Sequence, residues 1–237
     1  DRIYGFNEMG IARVRKRRSA NKLSIERVYG LIDTTGKVVL DCIYRKIRPQ
    51  ENINLIIVQD ENKKYGAVDK SGKTIIPYEY ARIYDFDKNG VAKFKQYSEK
   101  TSVNSFYGIM NIEGIVLTDD NYSSIGSFTN GYAVVGKDEK YGVINLAGRL
   151  ITKIEYEEIK PFNDKGFAIV KNENGYGVIN KNGLEIILLF FEKVSDHGHF
   201  FLAEKGGKKF AIDLAGRCID KEHQNRYNLL IEEYHKQ

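Results

Sequence analysis

The densest cluster of one chemistry in this chain is cationic: Arg15, Lys16, Arg17 and Arg18 stand side by side, with Lys22 close behind. Side chains of this kind bind anions, whether the phosphates of a nucleic acid, an acidic protein surface or a layer of lipid headgroups. Residues 1–30 hold eight basic residues against three acidic ones, an excess equal to the net charge of the whole 237-residue chain, +5. The charge is therefore a local patch on a neutral scaffold. No aromatic residue interrupts the run, so base stacking is not expected and any nucleic-acid binding should ignore sequence.

Other candidate groups are weaker. His197 and His199 would share one face of a strand and reach a single ion, but no third ligand accompanies them, and a degenerate loop is the favoured reading. Glu204-Lys205-Gly206-Gly207-Lys208-Lys209 has the look of a phosphate loop. Such a loop must run from a strand into a helix, whereas this one lies between two expected strands and reads as a hairpin turn. The pairs Glu157-Glu158 and Asp119-Asp120 read as solvated loop charge, since catalytic carboxylates need opposed positions and environments that split their pKa values. Cys42 and Cys218 lie far apart, fit neither a disulfide framework nor a CxxC metal site, and read as small core residues. No Ser–His–Asp or Cys–His signature is present. The expectation is a protein without catalytic residues, metal or cofactor.

The elements that must carry the basic run follow from a repeat. Lys140-Tyr141-Gly142-Val143-Ile144-Asn145-Leu146-Ala147-Gly148 recurs around Tyr29-Gly30, Tyr65-Gly66, Tyr107-Gly108 and Tyr176-Gly177, and in decayed form at Lys209-Phe210. Each copy places two apolar residues before Asp or Asn, with Gly three positions later. Asp or Asn suits the first position of a type I turn, and Gly at the fourth can take positive φ, so each copy reads as strand, tight turn, strand. Counted from the turn glycine, further columns recur: Tyr44, Tyr80, Tyr122, Tyr156 and Phe191, then Ile47, Ile83, Ile125, Ile159 and Val194. A strand such as Gly90-Val91-Ala92-Lys93-Phe94 or Gly166-Phe167-Ala168-Ile169-Val170 opens the next unit. Short connections make the neighbours antiparallel.

Six such units predict an all-β fold, a β-propeller of about six small antiparallel blades, with an open stack of β-hairpins as the alternative. The repeat domain spans residues 1–220. Residues 221–237 form a C-terminal amphipathic helix or tail, with Tyr227, Leu230, Ile231 and Tyr234 on one face, read as packing on the last unit. Ile3-x-x-Phe6 matches the tail of a unit that the sixth copy lacks, and reads as the strand completing the last blade. The aromatic residues before glycine are expected to be substantially buried.

With 42% hydrophobic and 29% charged residues, the composition is that of a globular domain. No apolar run approaches the roughly 20 residues of a membrane-spanning helix. No basic-then-apolar leader opens the chain at Asp1, so a cytoplasmic place is expected, or an exported one if a leader has been removed.

The pattern resembles the bacterial WG repeat, named for a Trp-Gly pair followed by an apolar pair, Asp or Asn, and a turn glycine. The similarity covers roughly residues 1–220, with Tyr at every Trp position except Lys209. The resemblance implies a binding or scaffold module and brings no catalytic residue. Two connections between the first and second repeat strands are longer than the others, Arg15–Val28 and Lys95–Phe106. Insertions at one repeat position map to one face, which is often the binding face. The expected function is thus a non-catalytic binding module presenting the basic hairpin 15–28. Arg15, Lys16, Arg17, Arg18 and Lys22 are its partner-binding residues, and the partner is foremost a protein, or else an anionic surface or nucleic acid. The alternative is a module sensing a small ligand or glycan.

Overall fold

The computed structural model describes residues 1–21, 24–97, 105–118 and 122–236. They form two compact units, Asp1–Asn121 and Tyr122–Gln237. Unit 1 contains three antiparallel sheets. Sheet one runs β1 (Arg2–Phe6), β2 (Ile11–Asn21), β3 (Ser24–Asp33), β4 (Val38–Tyr44). Sheet two runs β5 (Lys46–Gln50), β6 (Leu55–Gln59), β7 (Tyr65–Asp69), β8 (Thr74–Tyr80). Sheet three has β9 (Arg82–Ile83), β10 (Val91–Tyr97) and β11 (Ser105–Asn111).

Unit 2 repeats the plan. Sheet four has β12 (Ser124–Ile125), β13 (Tyr132–Lys137) and β14 (Lys140–Asn145). Sheet five runs β15 (Glu158–Ile159), β16 (Phe167–Asn172), β17 (Gly175–Asn180), β18 (Glu185–Phe191). Sheet six has β19 (Lys193–Asp196), β20 (Phe200–Lys205) and β21 (Lys208–Asp213), and is followed by helix α1 (Gln224–Tyr234). The chain is thus an all-β repeat protein of six small antiparallel sheets whose strands pair in chain order.

The turn column behaves as its residue types require. In each of the six copies the Asp or Asn carbonyl accepts from the N–H of the glycine three residues on, as Asp33 does from Gly36 at 3.0 Å. Its side-chain oxygen then takes further backbone N–H groups: Asp33 Oδ1 accepts from Thr35 at 2.9 Å and Lys37 at 3.0 Å. The same turn recurs where it was not anticipated, between first and second strands, at Asn7–Gly10, Asp87–Gly90 and Asn163–Gly166.

Sheet two shows why an apolar run can be a strand. β6 reads Leu-Ile-Ile-Val-Gln, and its alternate side chains enter different cores. Ile56 and Val58 pack with Ile11, Leu31 and Leu40 of sheet one, whereas Ile57 packs with Ile83, Ala92, Phe94 and Met110 of sheet three. Both faces are buried, so the usual alternation with polar residues disappears.

Two expectations change. The segment holding Ile3 and Phe6 is the first strand of its own sheet: Ile3 lies opposite Val14 just as Ile47 lies opposite Val58. The short segment after the last strand of each sheet opens the next sheet, so its N-terminal counterpart belongs in front of β2. The aromatic column before glycine is also less buried than its size suggests. Tyr65 is buried, Tyr29, Tyr107 and Tyr176 are half-buried, and Tyr141 is 37% exposed. The column that fills the core is the later one: Tyr80, Tyr122, Tyr156 and Phe191 are all at or below 5% exposure, and Tyr44 is half-buried.

Candidate functional site

The basic run is a strand and not a loop. Arg15, Lys16, Arg17 and Arg18 all lie in β2, paired with Tyr29, Val28, Arg27 and Glu26 of β3. The long connection between the two strands has become more ladder, because residues 16–19 and 25–28 continue the antiparallel register past the end of β1. Lys22 lies outside the described residues, as do Asp119, Asp120 and positions 98–104 of the other long connection.

Strand pairing sorts the cations by face, since successive side chains point to opposite sides. Arg13, Arg15 and Arg17 share one face. On it, Arg15 stands directly opposite Arg2, and Arg17 directly opposite Arg27. Like charges placed cross-strand repel, so each pair costs stability unless an anion joins it. Arg13 is held between two rings, its guanidinium 4.4 Å from the centroid of Tyr4 and 5.3 Å from that of Tyr29. Arg2 lies 5.0 Å from the Tyr4 ring. None of Arg2, Arg13, Arg15, Arg17 and Arg27 has an ion-paired carboxylate among the described residues. The Nε of Arg15 is buried without a hydrogen-bond partner there.

On the other face, Arg18 is neutralised. Arg18 is 3.8 Å from Glu26 and 3.7 Å from Glu61, and Glu26 also pairs with Arg45 at 3.2 Å. Arg18 therefore belongs to a charge network with Arg45, Glu26 and Glu61. The sequence signal for the split is the period-two spacing of Arg13, Arg15 and Arg17. Arg2, Arg27, Tyr4 and Tyr29 join the site only through strand register.

The remaining candidates have structural contacts of their own. His197 stacks on Phe200 with ring centroids 5.1 Å apart and reaches Ser195, while His199 contacts Lys165 at 3.1 Å. Among the described residues no cluster of three metal-ligating side chains occurs. Lys205 pairs with Lys208 across a two-residue hairpin loop, Gly206-Gly207, both at positive φ. Glu157 bonds to Lys171 at 2.9 Å, and this contact holds its carboxyl below the usual range. Burial pushes the thiols of Cys42 and Cys218 up, the direction that removes reactive thiolate. In unit 2 a cleft of about 460 Å³ opens between β18 and α1, lined by Ile186, Leu188, Cys218, Tyr227 and Ile231 among others. Among the described residues no helix is long and apolar enough to cross a membrane.

The repeat model described as WG containing repeat matches residues 29–64, 65–98, 107–141 and 141–176, more than half of the chain. The chain belongs to the WG-repeat family. Its arginine face lies mostly in residues 1–28, ahead of the first matched WG repeat. The decayed copy at Lys209-Phe210 also falls outside the matched segments. No curated protein matches the chain. Among solved structures it is similar to a eukaryotic initiation factor, at 8% identity and a TM-score of 0.43 over 87% of this chain, which spans 61% of that one. It is also similar to the WD40 β-propeller domain of Doa1, at 10% identity and a TM-score of 0.31, covering 90% of this chain and 85% of that one. For Hsv2 of Kluyveromyces lactis the figures are 13% identity, a TM-score of 0.37, and 95% and 79% coverage.

Proposed function

We propose that this WG-repeat chain is a non-catalytic binding module that takes an anionic macromolecule on the arginine face of sheet one. One observation carries the reading: the cross-strand pairs Arg2–Arg15 and Arg17–Arg27, which no described carboxylate neutralises. Folding alone selects against such juxtapositions, and an incoming anion relieves them. An acidic protein surface and a nucleic acid both supply that anion. The family's repeat architecture supports a module built to present a face.

The test is retention on heparin and its salt dependence. Replacing Arg15, Arg17 and Arg27 together by Ser is expected to move elution to markedly lower salt. Replacing Lys16 and Arg18, which point to the opposite face, is expected to change it little. Equal shifts in the two variants, or no shift in the first, would overturn the assignment of the face.

A further inference from the structure

Sheet three repeats the inner part of the sheet-one arrangement, with Tyr97 and Ser105 standing where Arg17 and Arg27 stand in sheet one. Arg82-Ile83-Tyr84 corresponds to Arg2-Ile3-Tyr4, Lys93-Phe94-Lys95 to Arg13-Val14-Arg15, and Tyr107 to Tyr29. The registers agree: Lys95 lies opposite Arg82 on one side and Tyr107 on the other, as Arg15 lies opposite Arg2 and Tyr29. The cation–ring geometry agrees too. Lys93 Nζ is 4.7 Å from the Tyr84 centroid and 5.4 Å from that of Tyr107, and the Arg82 guanidinium is 4.5 Å from Tyr84.

Sheet two, between them in the chain, lacks it. Ile57 and Gln59 occupy the two slots of strand β6, and Ile57 is buried in the core. Sheets one and three are also the two with lengthened second and third strands, in which Tyr97 pairs with Ser105 and Arg17 with Arg27. Neither Arg82 nor Lys95 has an ion-paired carboxylate among the described residues.

We infer that unit 1 holds two equivalent anion sites, one on sheet one and one on sheet three, that engage two phosphates of a single nucleic-acid strand. The inference rests on the proposed anion-binding reading and extends it in valence and ligand. Two features favour phosphodiester over an acidic protein. The tyrosine faces are already occupied by cations, so the sites offer charge without the open apolar anchor that protein interfaces use. Two matched sites of one design also suit a polymer carrying one charge per monomer at regular spacing. Binding at both sites makes the second contact intramolecular, so a two-site complex is tighter than either site alone.

The experiment uses the full chain and a fluorescent 40-nucleotide oligothymidylate, titrated at several salt concentrations. The variants are R13S/R15S, K93S/K95S, and the two combined. Each double variant is expected to weaken binding by on the order of tenfold or more, and the combination to bring it to background. Each is also expected to flatten the dependence of log affinity on log salt, by about 0.7 for every phosphate of a single strand that the variant no longer neutralises. Should a double variant melt early, the charge reversals R17E/R27E and R82E/K95E, which leave Arg13 and Lys93 in place, are used instead. If only the sheet-one variants weaken binding, the second site is refuted and the single arginine face stands. If neither set does, both readings fall. Polyglutamate competing as well as an equal charge of oligothymidylate would overturn the phosphate assignment.

Discussion

Sheets five and six are consecutive copies of one sequence pattern, and they close in different ways. In sheet five, Gly177 lies opposite Val170 and beneath a third strand, β18, whose register shifts where it passes over the glycine. A Cβ on Gly177 would come 2.5 Å from the carbonyl oxygen of Ile187, so no other residue fits under that strand. In sheet six the same slot holds Phe210, fully buried, and the residue opposite is Ala203. Large and small have changed places across the ladder. The strand after the turn shrinks to one bridge, Ile212 to Cys218, and helix α1 covers the space instead. Tyr227 of that helix lies 6.0 Å from the Phe210 ring and 6.5 Å from that of Phe191. The turn itself is unchanged: Asn180 and Asp213 each accept two backbone N–H groups from the residues that follow. After the same turn, sheet five is covered by β18 over a glycine, and sheet six by α1 over a phenylalanine.

Phe210→Ala should have the largest effect on this difference. Removing a fully buried phenyl group costs about 3–5 kcal/mol, and thermal unfolding should show it, with helical circular dichroism lost ahead of the sheet signal as α1 loses its seat. Gly177→Ala follows, at about 1–3 kcal/mol of overpacking, since the obstacle is backbone. A Gly177→Ala protein as stable as the parent would mean that β18 does not bear on the glycine.

Alkaline titration reports on the docking of α1 through Tyr227. Burial pushes the Tyr227 hydroxyl up to about 12, against an ordinary tyrosine value near 10. Its folded pKa is raised, so its stabilising contribution is complete below pH 10 and lost as pH rises through about 12. Docking of α1 should therefore weaken in that window. Tyr227→Phe should remove that share of the alkaline loss, at a neutral-pH cost of about 1 kcal/mol for the hydrogen bond it donates to Gly216 at 2.8 Å. Phe191, at the matching end of sheet five, does not titrate. The smallest effects belong to the shared turn: Asn180→Ala and Asp213→Ala should each cost about 1 kcal/mol, measured by denaturant unfolding. Markedly unequal costs would show that the turn is not the common element.

Sequence alone determined the turns, the antiparallel order of strands and the count of six repeats, because Asx-x-x-Gly turns are local and need only their own residues. It also placed Tyr227, Leu230, Ile231 and Tyr234 on one helical face, and in unit 2 that face meets the sheet-five and sheet-six core. Tertiary structure decided what depends on facing partners. Tyr141 and Tyr156 are both repeat aromatics, yet one is 37% exposed and the other 4%, since burial is set by the neighbouring sheet and not by residue type. The basic run changed in the same way. As a string it was a charged loop; as a strand it divides into a face where Glu26 and Glu61 neutralise Arg18 and a face where arginine opposes arginine. Charge along a chain is local, but its neutralisation depends on residues brought close only by strand register and packing.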